Sequence, residues 1–344
     1  MTILLVLGVF AATAALAGLV RRYALTHSVV DVPNERSSHA TPTPRGGGLA
    51  IVAVALITIA ALAVTGRMTP HTAIGLAGGG LLVALVGWVD DKRDLRALVR
   101  IAAHTAAATW TVAWLGGMPS LTVGPDAVTL GFGGALLAIL GIVWGTNLYN
   151  FMDGIDGLAA VEAVVVGTAG ALLLASRQSA LGLLGLVLAA AAAGFLVWNW
   201  PPAQLFMGDV GSGFLGFSLA AIGVAGENAG AMPALLWILL LGPFFADATI
   251  TLLRRMRRGE RWYAAHRSHA YQRAVQAGWS HGQVTVVVAI LTALCAGLAW
   301  VVLLQPGWLG PALGGAAAGL STVYFAVERV RPMEAAGFES DRSR

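Results

Sequence analysis

The sequence predicts an all-α polytopic membrane protein with about eleven transmembrane helices, and three observations carry that expectation. Composition is the first: 57% of the 344 residues are hydrophobic and 11% charged, where soluble domains carry roughly 25% charged residues. Spacing is the second. Apolar runs able to cross a ~30 Å hydrocarbon core fall near 2–20, 47–65, 72–89, 98–115, 132–149, 157–176, 180–199, 211–226, 232–253, 282–304 and 309–327. Third, charge follows the runs. Of 21 basic residues, all but Arg67 and Arg177 lie in alternate connections or at the tail. An excess of Lys and Arg marks the cytoplasmic side, so the N-terminus is expected outside and the C-terminus inside.

Residues 2–20 have the length of a signal peptide. No positive charge precedes them, however, and Arg21-Arg22 follow at once, so a retained N-out helix is expected. The run at 211–226 is the shortest, yet omitting it would scramble the charge asymmetry. The longest outer connection, Pro119 to Gly131, reads Ser-Leu-Thr-Val, Gly-Pro-Asp, Ala-Val-Thr-Leu, the pattern of a small hairpin. Cys295, the sole cysteine, sits in an apolar run and forms no intrachain disulfide. The net charge of +4 matters less than its placement, and no nucleic-acid partner is expected. No repeat or separate soluble domain is visible, so 1–344 reads as a single membrane domain. The informative polar residues lie in five cytoplasmic stretches, 21–46, 90–97, 147–157, 200–210 and 254–281.

The densest is Asn147-Leu-Tyr-Asn150-Phe-Met-Asp153-Gly-Ile-Asp156-Gly-Leu158. Burying such amides and carboxylates in hydrocarbon costs several kcal/mol each unless they are paired, hydrated or bound. A step of three residues turns a helix by about −60°, so Asn147, Asn150 and Asp153 share one face. Asp156 joins them only if the backbone tightens or breaks at Gly154 and Gly157. Either way, oxygen ligands collect at the mouth of a membrane helix, which suits Mg²⁺ and a phosphorylated substrate.

In the first stretch, prolines forbid helix before Arg45-Gly46-Gly47-Gly48. The glycines are expected to let backbone N–H groups approach an anion, with Arg36 and Arg45 adding positive charge. Gly-Lys-Ser/Thr is missing, so this is no Walker A. Asp90-Asp91 place adjacent carboxylates at a membrane boundary, where they repel unless a cation or proton intervenes. Asp209 opens an apolar helix among glycines, as an N-cap or as a metal ligand. His266, His269 and Arg273 fall at i, i+3, i+7, one face of a helix that Gly278 would end. Ser280 and Gln283 form a capping box for the next span. His-x-x-His without a third ligand is a weak zinc signal. Beside Arg267 and the upstream arginines, a phosphate-binding cluster is the better reading. Asp247 stands inside a run, paired with an arginine or in the site, and Glu162 stands within two turns of Asp156 as a supporting residue.

With these motifs in this order, the chain resembles the polyprenyl-phosphate N-acetylhexosamine-1-phosphate transferases, the WecA/MraY superfamily of glycosyltransferase family 4. The resemblance covers about 30 to 330. It rests on Asp90-Asp91, the Asn147 to Leu158 stretch, Gly208-Asp209-Val-Gly-Ser212 and His266-Arg-Ser-His269. It implies transfer of a sugar-1-phosphate from a UDP-N-acetylhexosamine to undecaprenyl phosphate, with release of UMP, in the bacterial inner membrane. It also implies Mg²⁺, with Mn²⁺ as a substitute, held at the positions of Asp209 and Asn150. Asp90 matches the base or lipid-phosphate-orienting residue, with Asp91 beside it as the second catalytic candidate. Asp153 and Asp156 match residues near the nucleotide-sugar. With Asn147, Arg45, His266, Arg267 and His269 they form the expected substrate-binding set. The triple-His run and the Thr-Pro-Thr-Met-Gly-Gly of the peptidoglycan-precursor branch are absent, as is the His-x-His-His of the WecA branch. The pattern is closer to the WbpL-like, O-antigen-initiating members, and a homodimer is left open.

The rival from another class is a transporter of a phosphorylated or nucleotide-linked solute. Transporters place binding residues near the bilayer midplane and show paired halves. Apart from Asp247, the acids here sit at cytoplasmic ends, and no halves match.

Overall fold

The computed structural model describes residues 2–27, 30–31, 42–175, 179–261 and 266–333. The described chain is helical almost throughout: α1 (Thr2–Thr26), α2 (Gly48–Val64), α3 (Pro70–Arg93), α4 (Ala97–Trp114), α5 (Phe132–Phe151), α6 (Leu158–Leu174), α7 (Ser179–Asn199), α8 (Asp209–Asn228), α9 (Ala234–Leu240), α10 (Gly242–Arg257), α11 (Ala270–Gln276), α12 (His281–Leu304) and α13 (Leu309–Val330). Each expected apolar run holds one of these helices, except that 232–253 holds two. Seven described helices are long and apolar enough to cross a membrane, and an eighth span is counted if α9 and α10 form one bent pass. The apolar helices α2 and α6 are shorter, at 17 residues each. This is an all-α polytopic membrane fold.

Two small antiparallel ribbons accompany the helices. The hairpin expected between Pro119 and Gly131 is present as β3 (Ser120–Val123) and β4 (Asp126–Thr129). Glu227 clamps it to the end of α8, accepting bonds from the Thr122 amide and hydroxyl at 2.8 and 2.7 Å. In the connection from α1 to α2, β1 (Val30–Asp31) pairs with β2 (Thr43–Pro44). Most of that connection, including Arg36, lies outside the described residues.

The shortest apolar run proves to be the hub. α8 is buried along nearly its whole length, and glycines let its neighbours approach it. An added Cβ on Gly48 would run into the Gly211 Cα, and one on Gly216 would meet Tyr149 and Gly145. Small residues at helix contacts are the usual means of close packing in a bilayer, where apolar surface gains little by leaving lipid. On α3, a Cβ at Gly87 would stand 2.5 Å from the Asp209 carbonyl oxygen and 2.6 Å from the Val210 amide nitrogen. These are backbone atoms and cannot swing away. Gly87→Ala is therefore expected to cost about 1–3 kcal/mol, as overpacked cores do, read as a lower thermal midpoint in detergent. An unchanged midpoint would mean that α3 and the start of α8 do not touch.

The run at 232–253 departs from expectation. It breaks at Leu241, and α9 and α10 are bent by 83°. Pro243 near the start of α10 has no N–H to continue the α9 ladder, and its fixed φ suits the first turn of a new helix. The supposed helical face of His266, His269 and Arg273 is also corrected. α11 begins only at Ala270, with His269 as its N-cap and His266 in the preceding loop. Gly278 follows that helix with φ +102°, and the Ser280–Gln283 capping box opens α12 as expected.

Candidate active site

The site is built where α3, α4 and α8 end on the same face, and a backbone stitch sets its frame. Phe206 N–H donates to the Pro44 carbonyl at 2.8 Å, and Gly47 and Gly48 N–H donate to the carbonyls of Phe206 and Met207, both at 2.9 Å. This corrects the reading of the triple glycine. Two of the amides expected to cradle an anion are consumed in joining the first loop to the third. The glycines are there because Gly47 lies against Phe195 and Leu205, and Gly48 against Gly211.

The stitch delivers Arg45. Its guanidinium lies 2.8 Å from Asp91 Oδ1 and 3.2 Å from Asp209 Oδ1. Burial works against that charge, but Asp91, Asp209, Asp31 and Asp153 together hold the Arg45 pKa above its ordinary value. Across the cluster, Arg100 Nη1 lies 2.8 Å from Asp90 Oδ2 and 3.7 Å from Asp209 Oδ2. Asp209 thus sits between two arginines, each also paired with one member of the Asp90-Asp91 couple.

The two adjacent carboxylates do different work. Asp90 is buried and accepts the Leu95 amide at 2.6 Å, closing the turn from α3 into α4. Asp91 accepts the amides of Asp209 and Val210 at 2.8 and 3.3 Å. It therefore caps α8 from another helix, where the exposed amides and the helix dipole favour a negative charge. Asp209 is not the N-cap, because Gly208 holds that position with φ 77°, and its carboxylate is left to the site.

Asn150 and Asn147 follow from the last turns of α5. Ser212 Oγ lies 3.2 Å from the Gly208 carbonyl, which takes its hydroxyl proton, so the 3.0 Å contact between Asn150 and Ser212 must use the Asn150 amide as donor. That assignment leaves Asn150 Oδ1 for a ligand. Asn147 donates back to the Val143 carbonyl at 2.7 Å. Asp153, in the break after α5, donates its amide to the Asn150 carbonyl at 3.2 Å; burial first, then the Asp209 charge, lifts its carboxyl pKa well above the carboxylate range.

The structure turns Asp156 elsewhere. Its Oδ2 accepts the Ala203 amide at 3.0 Å and lies 3.3 Å from His281 Nδ1 at the start of α12. Asn199 Oδ1 accepts the next amide, Gly157 N–H, at 3.0 Å. Asp156 latches the break to two neighbouring segments rather than sharing the Asn147 face. Glu162 does not support it. Glu162 is buried between helices, accepting the Thr292 hydroxyl at 2.6 Å.

The histidine side meets this cluster at the same break. Tyr271 donates to the Phe151 carbonyl at 2.9 Å, and a Cβ on Gly154 would collide with the Tyr271 hydroxyl. The rings of His266 and His269 are 4.8 Å apart, and His269 lies 6.3 Å from Phe151. Arg267 lies between the two histidines in the loop before α11, and its carbonyl accepts the Gln276 side chain at 3.1 Å. Several arginines expected to bind phosphate are engaged in the fold. Arg273 is buried and pairs with Glu328, as does Arg254 at 2.6 Å, while Arg255 pairs with Glu260 at 2.8 Å. Among the described residues Asp247 pairs with no arginine; it lies 3.3 Å from His269 Nδ1.

The cluster fits a divalent cation of the Mg²⁺ kind. Asp209 and Asn150 present oxygens, and the carboxylates of Asp90, Asp91 and Asp209 outnumber the guanidinium groups of Arg45 and Arg100 around them. Among the described residues no three His, Cys, Asp or Glu groups converge as a ready-made cage. Mg²⁺ needs none, since it is commonly held by one or two protein groups plus water and substrate phosphate. Sequence reading overlooked Arg100, Asn199, Tyr271 and His281, and held Ser212 only as part of the Gly208 to Ser212 motif. Arg100 was visible as a charge ten residues past Asp90, which is more than two helical turns. Only the αL turn at Asp94, φ 44°, folds it back.

Comparison with known proteins gives the class. Residues 73–227, spanning Asp90 to the end of α8, match the model of glycosyl transferase family 4. The chain is 31% identical over 281 residues to the probable undecaprenyl-phosphate N-acetylglucosaminyl 1-phosphate transferase of Bacillus subtilis, covering 79% of this chain and 77% of the relative. It is 31% identical over 340 residues to the decaprenyl-phosphate N-acetylglucosaminephosphotransferase of Mycolicibacterium smegmatis, covering 86% and 81%. It is 30% identical over 301 residues to the undecaprenyl-phosphate alpha-N-acetylglucosaminyl 1-phosphate transferase of Yersinia pestis, covering 84% and 80%. The chain belongs to glycosyl transferase family 4.

Proposed function

We propose that this protein transfers an N-acetylhexosamine-1-phosphate from a UDP-sugar to undecaprenyl phosphate, releasing UMP and starting a lipid-linked glycan. We place the reaction at the cytoplasmic face of a bacterial inner membrane, with Mg²⁺ bound by Asp209 and Asn150. The observation that carries the reading is Asp209 held between Arg45 and Arg100, at the mouth of apolar helices. A reaction joining two anions needs such a mixture of fixed positive charge and cation-binding oxygens. The lipid acceptor reaches that mouth from the bilayer and the nucleotide-sugar from water. The charge bias of the connections supports a cytoplasmic mouth.

In the reaction, an oxygen of the lipid phosphate forms a bond to the sugar-bearing phosphorus of the donor. The bridging P–O bond to the other phosphorus breaks, and UMP leaves with that electron pair. Bound Mg²⁺ would neutralise charge on the donor diphosphate. Arg45 and Arg100 neutralise the rest, and each is held in place by its own aspartate. Asp90 orients Arg100 toward the acceptor. Asp153 and the His266–His269 pair stand on the far side of the break, where the nucleotide-sugar is expected to lie.

Purified protein given undecaprenyl phosphate and a panel of UDP-N-acetylhexosamines should release UMP with at least one of them and yield a lipid of matching mass. EDTA should remove that activity and Mg²⁺ restore it. Absence of UMP with every donor would refute the reading, and activity that survives EDTA would refute the metal assignment.

A further inference from the structure

Asp247 is a carboxylate in an otherwise apolar run, and neither the metal site nor the arginine cluster uses it. Its surroundings are unusually complete. Oδ1 accepts the Ala270 amide at 2.9 Å and the Thr251 hydroxyl at 3.1 Å, and Oδ2 accepts the Tyr271 amide at 3.0 Å. These amides open α11, so Asp247 caps that helix from α10, as Asp91 caps α8 from α3. A cap alone would end the matter. Here Oδ1 also lies 3.3 Å from His269 Nδ1, on a ring that is itself buried.

That last contact has a chemical consequence. A carboxylate bonded to two amides only accepts, so the proton between it and the imidazole resides on Nδ1 of His269. The His269 ring also accepts the Gln272 amide in the capping box of α11, and with the proton on Nδ1 the ring's lone pair lies on Nε2. The ring is then walled by Phe151, Tyr271 and His266, with centroids at 6.3, 5.7 and 4.8 Å. Tyr271 ties this assembly to the break that carries Asp153. Asp247 lies on α10, after the 83° bend from α9, and meets the first amides of α11.

We propose that Asp247 is the positioning residue for His269. One carboxylate fixes the start of α11, the tautomer of the imidazole and the direction of Nε2 toward the donor side of the site. The proposal rests on the reading that His269 serves the transfer reaction. Asp247 touches no reactant and acts only through His269. This separates it from a plain helix cap, whose loss would harm the fold and leave the histidine chemistry unchanged.

The test is a double-mutant cycle on the full-length protein, with Asp247→Asn, His269→Ala and the pair, reading UMP release and thermal midpoint. Asp247→Asn retains an acceptor oxygen for the Tyr271 amide and turns its NH₂ group toward His269 Nδ1, so it removes the acceptor there and keeps the fold better than Asp247→Ala. His269→Ala should lower kcat roughly 10²–10³-fold, as loss of one charge-stabilising donor does. Asp247→Asn should lower kcat roughly 10–100-fold, the usual effect of losing the partner that orients a functional histidine, with a smaller change in KM for undecaprenyl phosphate. The double variant should be no slower than His269→Ala, because a residue acting through another has nothing left to act on. Multiplied losses in the double variant, or a kcat for Asp247→Asn equal to wild type, would overturn the proposal while the transferase reading stands. A wild type that releases no UMP from any donor would overturn the transferase reading itself. The pairing would then be judged by the midpoints alone, and additive midpoint losses would overturn it too.

Discussion

Asp209→Asn is expected to lower UMP release by roughly 10³-fold or more while leaving the protein folded. Its carboxylate does nothing for the helix it begins: Gly208 is the N-cap, and Asp91 satisfies the amides of Asp209 and Val210. What Asp209 supplies is charge, facing Arg45 at 3.2 Å and Arg100 at 3.7 Å and offering oxygens to the proposed Mg²⁺. Asparagine keeps the shape and removes the charge. The two arginines would lose their common partner, and the cation would lose its strongest ligand. Both losses fall where charge must be balanced in the transition state, where removing even one neutral donor costs about 10²–10³-fold. The thermal midpoint should stay close to wild type, and the Mg²⁺ concentration for half-maximal rate should rise in any residual activity. A variant turning over near the wild-type rate at limiting Mg²⁺ would remove Asp209 from the ligand set.

How far these assignments could be seen in the sequence depends on the range of the interaction. Hydropathy reports burial in lipid, a property of each segment alone, so the helices were legible, and the hairpin at 120–129 was legible from its own turn residues. The Asp90-Asp91 pair, Asn150 and Asp209 were legible for a related reason, since carboxylates and amides at the ends of apolar runs are costly unless they are used. Partners across the fold were not. The glycines at Gly47 and Gly48 read as an anion cradle, because nothing local reveals that Phe206 and Met207 take their amides. Asp156 read as a fourth member of a three-residue period, but Ala203 and His281 draw it away. Arg273 read as a phosphate contact because its partner, Glu328, lies in the last helix. The break at Leu241 had a local signal in Gly242-Pro243, but a run of apolar residues on both sides masked it.

Asp91→Ala is expected to damage stability and activity together, and that coupling distinguishes it from its neighbour. The Asp91 carboxylate is buried and accepts two amides of α8 while paired with Arg45 at 2.8 Å. Hydrogen bonds to a charged group contribute roughly 1.5–3 kcal/mol each, and a buried donor left without a partner costs about 1–3 kcal/mol. Losing this cap should therefore lower stability by about 3 kcal/mol or more and lower the thermal midpoint by several degrees. Activity should fall about 10²-fold or more, because Asp209 begins at the amide that Asp91 holds and Arg45 loses its nearer anchor. Asp91→Asn should fall between, since one amide keeps its acceptor while the new NH₂ group faces the other. Asp90→Asn makes the contrast. Its carboxylate faces Arg100 at 2.8 Å and closes a turn through a single amide, so activity should drop with a smaller loss of stability. The measurements are UMP release and thermal unfolding in the same detergent. An Asp91→Ala variant that melts like wild type yet releases no UMP would show that Asp91 acts on the reactants directly and not by holding the start of α8.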